Sequence, residues 1–100
     1  MKNFRTLNSA VEFYHLAQQL PLKKHLKDQL DRASLSIALN LAEGRARKNV
    51  ADQKRFFNIA FASLREVQAI LLILGLESSS EGRLLDSIAA QLYRLIQNAG

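Results

Sequence analysis

Cysteine is absent from the 100 residues of this chain, which excludes disulfides, thiolate metal sites and a cysteine nucleophile together. A small secreted domain generally needs such staples, so the composition points to a reducing cytoplasm. Proline occurs once, at Pro21, and glycine four times, which leaves room for long uninterrupted helices. The longest apolar run, Ala69 to Leu74, falls far short of the ~20 residues that span a bilayer. The opening segment, MKNFRTLNSAVEF, lacks the apolar stretch of a signal peptide. The expectation is therefore a soluble cytoplasmic protein with no membrane partner. Strand-like alternation, internal repeats and low-complexity tracts are missing as well. What is present is a 48% hydrophobic composition, enough for one domain over residues 1–100 with a modest core.

Punctuation divides the chain into four helices. Ser9 and Glu12 have capping-box spacing and open the first, which runs to about Leu20 with Ala10, Phe13, Tyr14 and Ala17 facing inward. Pro21 ends it, because the residue before a proline is pushed out of helical geometry. The second begins near Leu22 or Lys24 and closes at Gly44, read as a C-terminal glycine. Asn49 caps the third, with Asp52 in its positive first turn, and the helix continues to Gly75. Its core face is Phe56, Phe57, Ala60, Leu64, Val67, Leu71 and Leu74. Ser78 with Glu81 opens the fourth, whose inner face is Leu84, Leu85, Ile88, Leu92, Leu95 and Ile96 and which ends near Asn98. Short connections favour antiparallel neighbours, so the expected fold is all-α, an up-down-up-down antiparallel four-helix bundle.

The second helix carries more than one apolar face. At ~100° per residue, Leu26, Leu30, Ala33, Ile37 and Leu41 share one side, and Leu35, Leu39 and Ala42 lie nearly opposite. Between them runs a polar row of Gln29, Arg32, Ser36, Asn40 and Glu43, continued by Arg47 if the helix extends. An ordinary surface helix has one apolar stripe and a solvated back. A helix with two must bury both, one of them against a second copy. On the third helix Ile59, Ile70 and Ile73 flank the core face on one side, Phe61 and Leu72 on the other. The expected self-interface is therefore Leu35, Leu39, Ala42, Ile59, Ile70 and Ile73. The polar row is expected to be buried, with Ser36 level with Asn58, Arg32 within reach of Glu66, and Asn40 and Glu43 bonded to the third helix or a neighbouring subunit.

These residues also carry a family resemblance. QLDRASLSIALNLAEG, from Gln29 to Gly44, resembles the Q-L-x-R-A-x-x-S-I-x-x-N-I-A-E-G pattern of bacterial four-helix bundles encoded in intervening sequences of large-subunit ribosomal RNA genes. Gln29, Leu30, Arg32, Ala33, Ser36, Ile37, Asn40, Ala42, Glu43 and Gly44 match, with Leu41 in place of isoleucine. One helix later, Ile59, Ala60, Ser63, Leu64 and Glu66 match the family's I-A-x-x-S-L-x-E pattern. Ala38 stands where the family often has proline, Ala62 where it often has glycine, and the opening tryptophan is missing. The resemblance implies a ring-like homo-oligomer, a pentamer. It also brings in a similar bundle, the accessory protein of diversity-generating retroelements, which engages a reverse transcriptase and nucleic acid.

No catalytic constellation emerges. Glu12 and His15 have the Glu-x-x-His spacing of di-iron bundles, but no second pair completes a site. Ser34, Ser36 and Ser63 lack an evident base, so neither an enzyme nor a cofactor is expected. Charge is more informative. The net charge is +5, and the up-down-up-down order would place Lys2, Arg5, Arg45, Arg47, Lys48, Lys54, Arg55 and Arg94 in one half against only Glu12, Glu43 and Asp52. The other half is neutral. Phosphate backbone of RNA or DNA is the partner such a basic end suits, with Arg45, Arg47, Lys48, Lys54 and Arg55 in front and Lys2, Arg5 and Arg94 in support. No aromatic is expected among these cations to stack a base. The alternative is a protein-binding scaffold that docks a partner such as a reverse transcriptase without touching nucleic acid.

Overall fold

Four helices make up the secondary structure of residues 4–99, the residues described by the computed structural model: α1 (Arg5–Gln18), α2 (Lys24–Ala46), α3 (Val50–Ile73) and α4 (Ser80–Asn98). No strand occurs among these residues. Lys2, one of the expected phosphate contacts, lies outside them. α1 packs on α2, α2 on α3, α3 on α4 and α4 on α1, a closed cycle in which α2 and α3 share the largest contact. The fold is elongated, 40 × 22 × 22 Å.

Local chemistry explains most boundaries and corrects three. At Asn49 the side-chain Oδ1 accepts from the Asp52 backbone N–H at 3.1 Å, the cap expected for α3. α3 ends in a Schellman turn: Gly75 has φ +74°, Leu76 N–H reaches Leu71 O at 2.8 Å and Gly75 N–H reaches Leu72 O at 3.0 Å. α1, however, starts at Arg5 without a side-chain cap, so Ser9 and Glu12 lie inside it. Tertiary burial takes over there: Phe4, at the N-cap position, is only 6% exposed. The cap of α4 is Ser79 rather than Ser78; its Oγ accepts from Gly82 N–H at 3.1 Å and donates to Leu76 O at 2.5 Å. A side chain on Gly82 would strike the Glu77 and Leu76 carbonyls, so the turn closes only with glycine there.

The third correction is Gly44. The helix does not stop there but runs on to Ala46, with Arg47 as its C-cap. Gly44 is instead a point of close approach, because a Cβ on it would sit 2.7 Å from Cε1 of buried Phe57 and 3.2 Å from Cβ of Phe56. The core then follows the expected stripes: Phe13 of α1, Leu30, Ile37 and Leu41 of α2, Leu64, Val67 and Leu71 of α3, and Leu85, Ile88 and Leu92 of α4 are almost fully buried. α3 is long and apolar enough, by length and composition, to cross a bilayer, which counting unbroken apolar runs did not reveal. In this structure it is a core helix, with Phe57, Ala60, Leu64, Val67, Ile70 and Leu71 packed inward.

Gly44→Val should destabilise the fold by roughly 1–3 kcal/mol, the usual cost of forcing atoms into a filled core. The melting temperature should fall by several degrees even though glycine is a poor helix former. An unchanged or raised value would mean that α2 and α3 do not approach as described.

Candidate nucleic-acid interface

The site grows out of the α2–α3 junction. Because residue 44 has no side chain, α2 lies close against α3, and the connection at 47–49 is short. The last turn of α2 and the first turns of α3 thus bring Arg45, Arg47, Lys48, Lys54 and Arg55 onto one corner, all of them exposed. Gln53 Nε2 donates to Arg47 O at 2.7 Å and ties the two helix ends together.

The arginines are held over aromatic rings. The Arg45 guanidinium lies 4.7 Å from the Phe4 ring centroid, and those of Arg47 and Arg55 lie 4.9 and 4.4 Å from Phe56. Aromatics therefore stand among these cations, contrary to expectation. Phe4 was overlooked because it lies far from Arg45 in sequence, and Phe56 because it was assigned wholly to the core. Arg5 and Arg94 line a shallow depression of about 240 Å³ with Thr6, Gln91, Leu95 and Asn98. A neighbouring depression of about 210 Å³ shares Leu95 and Asn98 and adds Phe4, Arg45, Gln53 and Phe57. The beginning of α1, the end of α2, the beginning of α3 and the end of α4 thus meet around these cations.

At the start of α2 two lysines lie beside carboxylates. Lys24 pairs with Asp28 at 2.9 Å, and Lys27 lies 3.9 Å from Asp31 and donates to Gln18 O at 2.7 Å. The hydrogen bond between Lys24 and Asp28 raises the lysine above its ordinary pKa and lowers the carboxyl below its own. Among the described residues no group of histidine, aspartate and glutamate side chains could hold a metal ion; Glu12 and His15 are both exposed on α1.

The polar row divides into a part that is joined and a part that is not. Ser36 Oγ and Ser63 Oγ share a hydrogen bond at 2.8 Å across α2 and α3. Asn40 Nδ2 donates to Ser36 O at 2.9 Å and to Ser36 Oγ at 3.1 Å. Ser36 therefore meets Ser63, not Asn58, which is exposed and donates to Lys54 O within its own helix. Gln29, Arg32 and Glu66 are exposed, and Glu43 bonds Arg47 of its own chain at 2.6 Å rather than α3. The inward tilt of the row brings only its centre into the seam. Of the expected interface, Leu35, Leu39 and Ile59 are exposed and Ile73 is 79% exposed. Ala42 is half-buried. Ile70 is corrected: at 6% exposure it belongs to the chain's own core. Leu72, at 62%, joins Ile73 as an open apolar surface.

Together these features define an all-α protein of four helices that concentrates ring-backed arginines at one helix junction. The family model for 23S rRNA-intervening sequence proteins matches residues 5–98, from the first turn of α1 to the last of α4. The chain belongs to that family. No individual curated protein matches it significantly.

Ser63→Ala should cost about 1 kcal/mol, since it removes a half-buried partner of Ser36. Glu43→Ala, which breaks only a half-exposed pair, should cost less than about 0.5 kcal/mol in the single chain. Thermal melts of the two variants should rank in that order; the reverse ranking would place Glu43 in a buried network.

Proposed function

We propose that the protein is a non-enzymatic accessory factor that binds the phosphate backbone of RNA or DNA through the α2–α3 junction. One observation carries the reading: Arg45, Arg47, Lys48, Lys54 and Arg55 converge on one exposed corner, where Arg47 pairs with Glu43, while Lys24 and Lys27 lie beside acidic partners. Backbone binding rests on neutralised phosphates, so the local clustering of cations matters more than total charge. Arg5 and Arg94 extend the surface along α1 and α4. The closed cycle of helix contacts, the short connections and the meeting of alternate helix ends at this corner support the up-down-up-down antiparallel order.

Self-assembly belongs to the same reading. Leu35, Leu39, Ile59 and Ile73 are exposed apolar side chains on α2 and α3, of the kind that a second copy covers. A ring, with a pentamer as the expected size, would repeat the basic corner around an axis and form a cationic rim in a cytoplasmic particle. The exposed apolar surface at Leu72 and Ile73 also favours a second reading, a scaffold docking a protein such as a reverse transcriptase.

The triple replacement of Arg45, Arg47 and Lys48 by alanine should weaken binding similarly across sequences and flatten the slope of log affinity against log salt. Replacing Lys23, Lys24 and Lys27 removes the same charge and should do much less. Equal losses would refute a localised site, and no binding by the wild type at low salt would leave the scaffold.

Leu39→Asp would force an unpartnered charge into a subunit contact, at a cost of several kcal/mol. It should dissociate the oligomer in light scattering while helical circular dichroism persists. A wild type that is monomeric at tens of micromolar would end the assembly reading.

A further inference from the structure

We infer that the ring-backed guanidinia of this corner form a stacking platform for unpaired nucleobases, so that the ligand is a single strand rather than a duplex. The inference rests on the phosphate-binding reading and names the form of nucleic acid it takes.

A guanidinium is planar, and an aromatic ring beneath one face leaves the other face free to stack. Arg47 and Arg55 share the Phe56 ring at 4.9 and 4.4 Å, and Arg45 lies 4.7 Å from Phe4. The rings hold these side chains in place before any ligand arrives, which removes part of the ordering cost of binding. Arg47 remains open to a ligand. One edge is occupied by Glu43 at 2.6 Å, so a phosphate must compete for it, yet the side chain remains 43% exposed.

The cations therefore divide by chemistry. Lys48 and Lys54, both exposed, suit phosphates as point charges. The arginines present flat surfaces of the kind on which unpaired bases stack. A duplex keeps its base faces inside its own stack and offers such surfaces nothing. A ring–guanidinium pair alone is not a site: Arg65 lies 4.7 Å from Phe61, but its guanidinium donates to Gln68 at 2.8 Å and it is the lone such pair on that stretch of α3. What distinguishes the corner is three such arginines among two free-standing lysines.

The test compares three fluorescent probes carrying equal numbers of phosphates: a mixed-sequence single-stranded RNA, an abasic sugar–phosphate strand and an RNA duplex. Wild-type protein should bind the base-bearing strand about fivefold to tenfold more tightly than the abasic one, the scale of one stacked base. Phe56→Leu keeps every charge and should reduce that preference, since only Arg45 keeps its ring, while affinity for the abasic strand changes much less; Phe56→Tyr keeps the ring and should retain it. Circular dichroism melts establish that both variants fold, and the wild-type comparison of probes stands without either. Equal binding of base-bearing and abasic strands, a preference for the duplex, or a preference undiminished by Phe56→Leu overturns the platform and leaves phosphate binding intact. Binding of no probe at low salt removes the phosphate reading and the platform with it.

Discussion

The close approach of α2 and α3 at Gly44 is the constraint on which the rest of this structure depends. Hydrogen in place of a side chain lets Phe57 press against the α2 backbone, and a Cβ would collide with it. Packing in a filled core is sensitive to single methylene-sized changes, so the separation of the two helices is set sharply here. That separation decides whether Ser36 can reach Ser63 further along the seam. It also decides where the chain leaves α2 and re-enters α3, and hence where the cations of residues 45–55 stand. A core contact thus fixes the geometry of a surface.

Inside and outside are divided cleanly at this junction. Phe57 and Phe4 face inward and are nearly inaccessible, whereas Arg45, Arg47, Lys48, Lys54 and Arg55 face outward. The division has an energetic reason. Long cations on a short loop and on exposed helix turns lose little hydration, so their mutual repulsion is screened by water and salt. Burying even one without a partner would cost several kcal/mol. The corner therefore concentrates positive charge where concentration is least costly to the fold, and stacking on Phe4 and Phe56 offsets some of the repulsion.

Much of the fold was legible in the sequence, and the misses share one physical origin. Asn49, Gly75 and the inward stripes of α2, α3 and α4 are local or periodic signals, and they emerged where expected. Ser9, Ser78 and Gly44 were misassigned because each has a plausible local role that a distant contact overrides. Phe4 anchors the start of α1 by burial, the turn at Leu76 selects Ser79, and Phe57 claims Gly44 for packing. The same applies to the site. Charges that are neighbours in the chain, such as Arg45 and Arg47, were visible; the rings beneath them were not, since the pairing of Phe4 with Arg45 exists only after folding. The polar row shows the limit of helical periodicity. It put groups three and four residues apart on one stripe but not how far that stripe tilts into the seam: only Ser36 bonds across to α3, and Asn40 bonds Ser36 of its own helix instead of α3.

Glu43 links the two polar features of the molecule. It is a member of the α2 row by position and the partner of Arg47 by contact. A carboxylate there lowers the positive field of the corner, yet it also fixes one edge of a guanidinium that lies 4.9 Å from the Phe56 ring centroid. For pure charge attraction that pairing is a loss, because a phosphate must displace it. For a flat recognition surface it is a gain, because an arginine held at one edge and over one ring has fewer conformations to lose on binding. The geometry of Arg47 therefore favours shape over charge at this position, while Lys48 beside it has no such constraint and supplies charge alone.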